Sequence, residues 1–190
     1  MYSRAKRLFD LCAACAGLVV LAPLFLFCML AIRLTSPGPI FYISDRIGVR
    51  NSHFMMLKFR TMRVDTPQVA THLMTDPTAY LTPVGAFFRK TSLDELPQLI
   101  NVFKGEMSIV GPRPALFNQH DLIELRTQKG VHVLTPGLTG WAQVNGRDEL
   151  PIPIKVEYDA YYLQHRSFLL DIKITLQTLL KALRREGVHH

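Results

Sequence analysis

Residues 11–32 read LCAACAGLVVLAPLFLFCMLAI, an apolar run without a single charge. As a helix it would be roughly 33 Å long, close to the ~30 Å hydrocarbon core of a bilayer. Pro23 stands in the middle. Its missing N–H removes the helical hydrogen bond to the Val19 carbonyl and bends or breaks the helix there. Length alone does not separate a kinked span from a helix that enters the bilayer and turns back. The flanking charges favour the second. Arg4, Lys6 and Arg7 precede the run, and Arg33, Arg46 and Arg50 follow it. A spanning helix carries its basic excess on one side, whereas two basic ends are both satisfied at one membrane face. The run therefore reads as a re-entrant helix broken at Pro23. It is too long for a cleaved signal peptide and lacks the small-residue exit of one.

Cys12, Cys15 and Cys28, the three cysteines, lie in this run. Cys12 and Cys15 have C-x-x-C spacing, but no second pair or nearby histidine completes a zinc or redox motif. They read as small apolar helix residues. The seven histidines show no metal-binding spacing either.

The chain has 190 residues, enough for one domain with a core. Lys and Arg number 22 against 15 Asp and Glu, for a net charge of +7, which suits an anionic partner: phosphate, acidic lipid or nucleic acid. Nucleic acid is disfavoured, because no binding motif or aromatic-interleaved basic stripe occurs. A P-loop and a Rossmann fingerprint are also absent.

Beyond the run, Thr35-Ser36-Pro37-Gly38-Pro39 stops the helix. Ile40 to Ile43 reads as a strand, Asp45 to Ser52 as a polar turn, and Phe54 to Phe59 as a second strand of a hairpin. Period two places Lys58 and Arg60 on one strand face. Residues 65–83, rich in Pro and Thr, read as a long loop, a candidate lid. Leu96, Leu99, Ile100 and Phe103 have helical spacing. So do Leu169, Ile172, Leu176, Leu179, Leu180 and Leu183, with Lys181, Arg184 and Arg185 at the C-terminal end of that helix. This second stripe suits core packing, the commoner use, and also a helix lying on anionic lipid.

Chemistry concentrates in Ser92-Leu93-Asp94-Glu95-Leu96-Pro97-Gln98-Leu99 and Gly111-Pro112-Arg113-Pro114. Two carboxylates in an apolar setting are costly unless paired, hydrogen-bonded or metal-bound. Asp94 could instead cap the following helix, with Pro97 at its third position, or Ser92 and Glu95 could form a capping box. Pro97 favours Asp94 as the cap. An arginine held between prolines is a natural phosphate clamp, or an ordinary surface turn. The stretch 135–147 carries Gln143, Asn145 and Arg147 among turn residues, suited to a nucleotide or sugar or simply to a structured loop.

In order along the chain stand a basic N-terminus, an apolar segment with a mid-run proline, Lys58-Phe59-Arg60-Thr61-Met62, the Asp94-Glu95 motif, Gly111-Pro112-Arg113-Pro114, and Pro136-Gly137-Leu138-Thr139-Gly140-Trp141-Ala142-Gln143-Val144-Asn145-Gly146-Arg147. This succession resembles the bacterial sugar transferases, the monotopic phosphoglycosyl transferases, over nearly the whole chain. The resemblance implies a mostly helical α+β fold: a membrane-embedded re-entrant helix over residues 1–34, and a catalytic domain over 35–190 with a small β-hairpin and amphipathic interfacial helices. It implies residence at the cytoplasmic face of the bacterial inner membrane, among anionic lipids.

The implied reaction moves a sugar 1-phosphate from a UDP-sugar to polyprenyl phosphate, usually undecaprenyl phosphate, and releases UMP. It opens O-antigen, capsule or exopolysaccharide synthesis and requires Mg2+. By motif position Asp94 would be the nucleophile, forming an aspartyl-phosphosugar. Glu95 would help Asp94 bind magnesium or would position the attacking phosphate. Arg113 would bind phosphate, with Lys58, Arg60 and Arg89 as further cations and Gln143, Asn145 and Arg147 near the nucleotide-sugar. One departure is Ala22, where many members place a serine before the helix-breaking proline. The sugar is expected to be an N-acetylated hexosamine or a deoxy relative, and the choice between monomer and homodimer stays open. A metal-dependent lipid-diphosphate hydrolase would use the same carboxylates with water as acceptor. A basic membrane scaffold without catalysis is the remaining alternative.

Overall fold

The computed structural model describes residues 2–66, 77–146 and 150–184. Helix α1 (Tyr2–Val20) and helix α2 (Ala22–Thr35) meet at Leu21 with a bend of 61°. No single helix among the described residues is long and apolar enough to cross a membrane, while the bent pair together is. Pro23 lies in the first turn of α2, where an N–H would have no helical acceptor. The backbone stays bonded around the bend: Leu21 N–H donates to Gly17 O at 2.9 Å, and Phe25 N–H to Leu21 O at 2.8 Å. Val19, Val20, Leu26, Phe27, Leu30 and Leu34 around the bend are exposed.

The first turns of α1 are anchored in the rest of the molecule, so contacts run across the expected boundary at residue 34. Lys6 and Asp10 are both buried. Lys6 Nζ lies 2.7 Å from Asp10 Oδ1 and donates to Ser108 Oγ at 2.7 Å. Asp10 also accepts from the Ser108 hydroxyl at 2.8 Å and the Ile109 N–H at 3.1 Å. Charges out of water need such full pairing. Farther along α1, Ala14 joins Phe54, Met56, Val102 and Met107 in a core cluster.

Strands β1 (Phe41–Ile47) and β2 (His53–Phe59) form the expected antiparallel hairpin, with Tyr42 opposite Lys58 and Phe41 opposite Phe59. The first strand runs farther than its apolar residues suggested. The turn is confined to 48–52, where Arg50 and Asn51 take positive φ. Phe59 anchors the hairpin under α2, with Phe25, Phe41 and Phe88 at centroid distances of 5.5, 5.6 and 6.3 Å.

Next come α3 (Gly85–Thr91), a 3-10 turn (Leu93–Glu95) and α4 (Gln98–Lys104). Strand β3 (Ser108–Val110) follows, then α5 (His120–Gln128). The chain continues through β4 (Gly137–Thr139), α6 (Trp141–Val144), α7 (Ile152–His165) and α8 (Phe168–Arg184). The parallel pairing of β3 with β4 was not expected: the hairpin is joined by a second two-stranded sheet. Glycine permits it. A side chain at Gly111 would collide with the Thr135 carbonyl, and one at Gly137 with the Gly111 backbone.

The two apolar stripes are used in opposite ways. Along α4, Leu99 is buried against α1, where a Cβ on Gly17 would lie 3.1 Å from Leu99 Cδ1. Only Phe103 of that stripe is exposed, so this face mainly packs inside the protein. Along α8 the reverse holds. Leu169, Ile172, Leu176, Leu179 and Leu180 are exposed, which removes the core-packing reading of that stripe. The helix docks through its other side: Asp171 and Ile174 are buried, and Thr178 meets Thr139 at 2.7 Å. Lys181 turns inward to the Val144 carbonyl at 2.7 Å, and Arg185 lies outside the described residues. Asp171 accepts from Tyr2 at 2.9 Å and Tyr162 at 2.7 Å, tying α8 to α1 and α7.

Candidate active site

Asp94 and Glu95 sit in the sharp turn between α3 and α4. Ser92 ends α3 at φ 57°, a left-handed conformation uncommon for serine. The 3-10 turn follows, closed by Glu95 N–H to Ser92 O at 3.2 Å and Leu96 N–H to Leu93 O at 3.2 Å. Pro97 is the N-cap residue of α4, and no side chain caps that helix. The capping readings of Asp94 and of the Ser92–Glu95 box therefore both fail. Because a 3-10 turn precedes α4, the carboxylates lie before the helix start and their side chains are turned to other partners.

Those partners are cations from distant parts of the chain. Lys58 of β2 donates to Glu95 Oε1 at 2.8 Å and stands 3.7 Å from Asp94 Oδ2. Arg113 donates to the same Glu95 oxygen at 3.0 Å. Arg89 of α3 bonds Thr61 Oγ1 at 3.0 Å. Asp94 is buried at 8% exposure, and among the described residues it has no hydrogen-bond partner.

The two carboxylates are driven apart electrostatically. Burial pushes the Asp94 carboxyl above its ordinary value, with adjacent Glu95 adding and Lys58, Arg89 and Arg113 opposing. Burial also acts against charge on Glu95, but Lys58 and Arg113 together outweigh it and hold Glu95 well below the usual carboxylate range. Burial lowers Arg89 from its usual value, against the attraction of Asp94. Glu95 is thus a fixed anion that orders the cations. Asp94 is a desolvated carboxylate without a hydrogen-bonded partner, suited to attack phosphorus or to ligate a hard cation.

Arg113 reaches Glu95 from the turn after β3. That turn is locked to β4 on both sides, by Gly111 N–H to Thr139 O at 2.8 Å and Gly137 N–H to Pro112 O at 2.9 Å. The parallel pairing that the sequence did not disclose is therefore what positions this arginine.

Other candidates lie elsewhere. Arg60 is buried and turns away from Lys58, donating to the Ser36 and Pro37 carbonyls at 2.9 and 2.5 Å. It closes the end of α2, because the backbone leaves the strand after Phe59 and period two no longer applies. Asn145 donates to its own helix at Trp141 O, 2.8 Å away. The Gln143 amide is buried without a hydrogen-bond partner among the described residues. Neither residue makes a hydrogen bond or ion pair to Asp94 or Glu95 there. Arg147 and much of the expected 65–83 loop lie outside the described residues. Among the described residues no three or more His, Cys, Asp and Glu side chains converge as a metal site, so Asp94 and Glu95 remain the adjacent pair of hard oxygen donors.

The profile of the family described as "Bacterial sugar transferase" matches residues 1–185. The chain belongs to the bacterial sugar transferase family. Membership makes it an enzyme of the phosphoglycosyl transferase type. An uncharacterized sugar transferase, EpsL, of Bacillus subtilis (strain 168) is 43% identical over 185 residues, covering 96% of this chain and 89% of the relative. The exopolysaccharide production protein ExoY of Rhizobium meliloti (strain 1021) is 39% identical, covering 92% and 84%. A UDP-glucose:undecaprenyl-phosphate glucose-1-phosphate transferase of Xanthomonas campestris pv. campestris is 42% identical over 97% of this chain, which spans 40% of that longer protein.

Proposed function

We propose that this sugar transferase moves a sugar 1-phosphate from a UDP-sugar to polyprenyl phosphate, with Asp94 as nucleophile. One observation carries the reading: Asp94 is buried with the charges of Lys58, Arg89 and Arg113 acting on it, while Lys58 and Arg113 each donate a hydrogen bond to Glu95. The nucleophile is thereby left open within a cationic corner that suits a diphosphate.

In the first step an Asp94 oxygen bonds to the sugar-linked phosphorus. The bond from that phosphorus to the bridging oxygen breaks, and UMP leaves with the oxygen. In the second step an oxygen of polyprenyl phosphate bonds to the same phosphorus, and the Asp94 carboxylate departs. Arg113 and Lys58 steady the charge that collects on the phosphoryl oxygens. Asp94 and Glu95 fit a magnesium ion, which takes one or two carboxylates and draws its remaining ligands from water and phosphate. When bound, the ion neutralises diphosphate charge.

The site is proposed to sit at the cytoplasmic membrane face. The exposed α1–α2 bend would enter the lipid, and the outward leucine face of α8 would lie along it. Lipid phosphate and nucleophile would then meet at headgroup level.

UMP release measured with undecaprenyl phosphate, Mg2+ and a panel of UDP-sugars tests this. UMP and a lipid-linked sugar are expected, with neither from Asp94→Asn. No UMP from any UDP-sugar, with inorganic phosphate released from undecaprenyl diphosphate, would instead support the hydrolase reading.

A further inference from the structure

The turn carrying Arg113 poses a problem in hydrogen bonding. Prolines on both sides remove N–H donors, and the residue before a proline is restricted to extended backbone. The position of the Arg113 carbonyl therefore sets where its guanidinium points. A small, partly open pocket of ≈ 30 Å3 lies against this turn, lined in part by Pro112, Pro114, Arg126 and His132.

The carbonyl is held by Arg126 of α5. Arg126 Nη1 donates to Arg113 O at 2.8 Å. The other edge of the same guanidinium grips Asp159 of α7, with Nε and Nη2 donating to Oδ2 at 3.0 and 2.6 Å. Both residues are buried, Asp159 at 1% exposure. A buried ion pair is a poor source of stability, since apolar side chains of similar volume often serve as well. Its planar fork, however, fixes direction in a way that lysine does not.

We infer that Arg126 and Asp159 are a positioning pair for the transfer reaction: they hold the Arg113 carbonyl so that its guanidinium meets Glu95 beside Asp94. A continuous path runs from Asp159 of α7 through Arg126 of α5, Arg113, Glu95 and Lys58 to Asp94. The inference rests on the transferase reading above, and it assigns Arg126 and Asp159 no contact with substrate.

The test is a double-mutant cycle on kcat for UMP release at saturating substrates, using Arg126→Lys, Arg113→Ala and both together. Arg126→Lys keeps the charge and loses the fork, and is expected to lower kcat about tenfold with a smaller change in KM, since misplacement by about 1 Å can cost 10²-fold. In the Arg113→Ala background it is expected to cost less than about twofold more, because its effect passes through Arg113. Asp159→Asn serves the same cycle should Arg126→Lys not fold. Losses that multiply independently, or an Arg126→Lys enzyme with normal kcat, overturn the inference. If the wild type releases no UMP, or Asp94→Asn still does, the transferase reading has failed. If the wild type is active, Asp94→Asn is dead and the losses are independent, only the positioning role has failed.

Discussion

Lys58 Nζ stands 3.7 Å from Asp94 Oδ2, within Coulomb reach but beyond hydrogen-bond distance. That gap sets Asp94, the proposed nucleophile, apart from Glu95, which Lys58 bonds at 2.8 Å. A tighter bond would hold the Asp94 lone pairs, and a longer distance would leave a buried charge unsupported.

Asp94→Asn should abolish turnover without loosening the fold. Burial raises the Asp94 carboxyl, so ionised Asp94 is a net cost to the folded state near neutral pH. The variant is expected to release no UMP, to stay membrane-bound and to melt no lower than wild type. Thermal melts and flotation check this, and a large fall in melting temperature would contradict it.

Turnover should also be lost in acid earlier than an ordinary aspartate implies. The nucleophile must be ionised, and its folded-state value is raised above the usual ~3.9. Activity therefore falls as pH drops through that raised value, while Glu95, held low, keeps its charge throughout. The acid limb of kcat/KM is expected to move farther up in Lys58→Met, where the attraction opposing burial is gone. A limb that stays in place would contradict this coupling.

Glu95→Gln should cost both rate and stability. It leaves Lys58 and Arg113 without their shared carboxylate. Hydrogen bonds to charged groups contribute about 1.5–3 kcal/mol, so a destabilisation of about that size is expected by chemical denaturation. Glu95→Asp, which keeps the charge on a shorter arm, is expected to lose less stability.

Much of this fold could be read from residue order, and the exceptions share a cause. Pro23 in an apolar run foretold the bend and local spacing the hairpin, whereas the caps read at Asp94 and at Ser92–Glu95 gave way to a 3-10 turn. Lys6 read as an ordinary flanking charge and Asp10 was passed over, because Ser108, about a hundred positions away, is what closes over them. Arg113 and Lys58 were picked out, but their meeting at Glu95 depends on the β3–β4 pairing and on the hairpin docking. Arg60 was misplaced because alternation holds only while the strand continues. The α8 stripe was visible, but periodicity does not say which side faces out when the inner face docks through Asp171, Ile174, Leu170 and half-buried Thr178.

The buried α1 anchor makes its own prediction. Asp10→Ala leaves the Lys6 ammonium facing Ser108 and, at 3.8 Å, Asp171. Removing one partner of a buried pair costs about 3–5 kcal/mol, and replacing both with apolar residues restores much of the loss. Asp10→Ala is therefore expected to melt well below wild type, and the Lys6→Met, Asp10→Leu double variant to recover most of the difference. A double variant as unstable as the single one would contradict the pairing argument.

The central claim is that Asp94 carries the phosphosugar between the two substrates. Intact-protein mass spectrometry tests it most directly, with the enzyme given UDP-sugar and Mg2+ but no polyprenyl phosphate. The expected result is one added sugar-phosphate mass, mapped to the peptide holding Asp94, absent from Asp94→Asn and discharged by the lipid acceptor. Robust UMP release with no adduct on an acceptor-free enzyme, or an adduct that persists in Asp94→Asn, would contradict it.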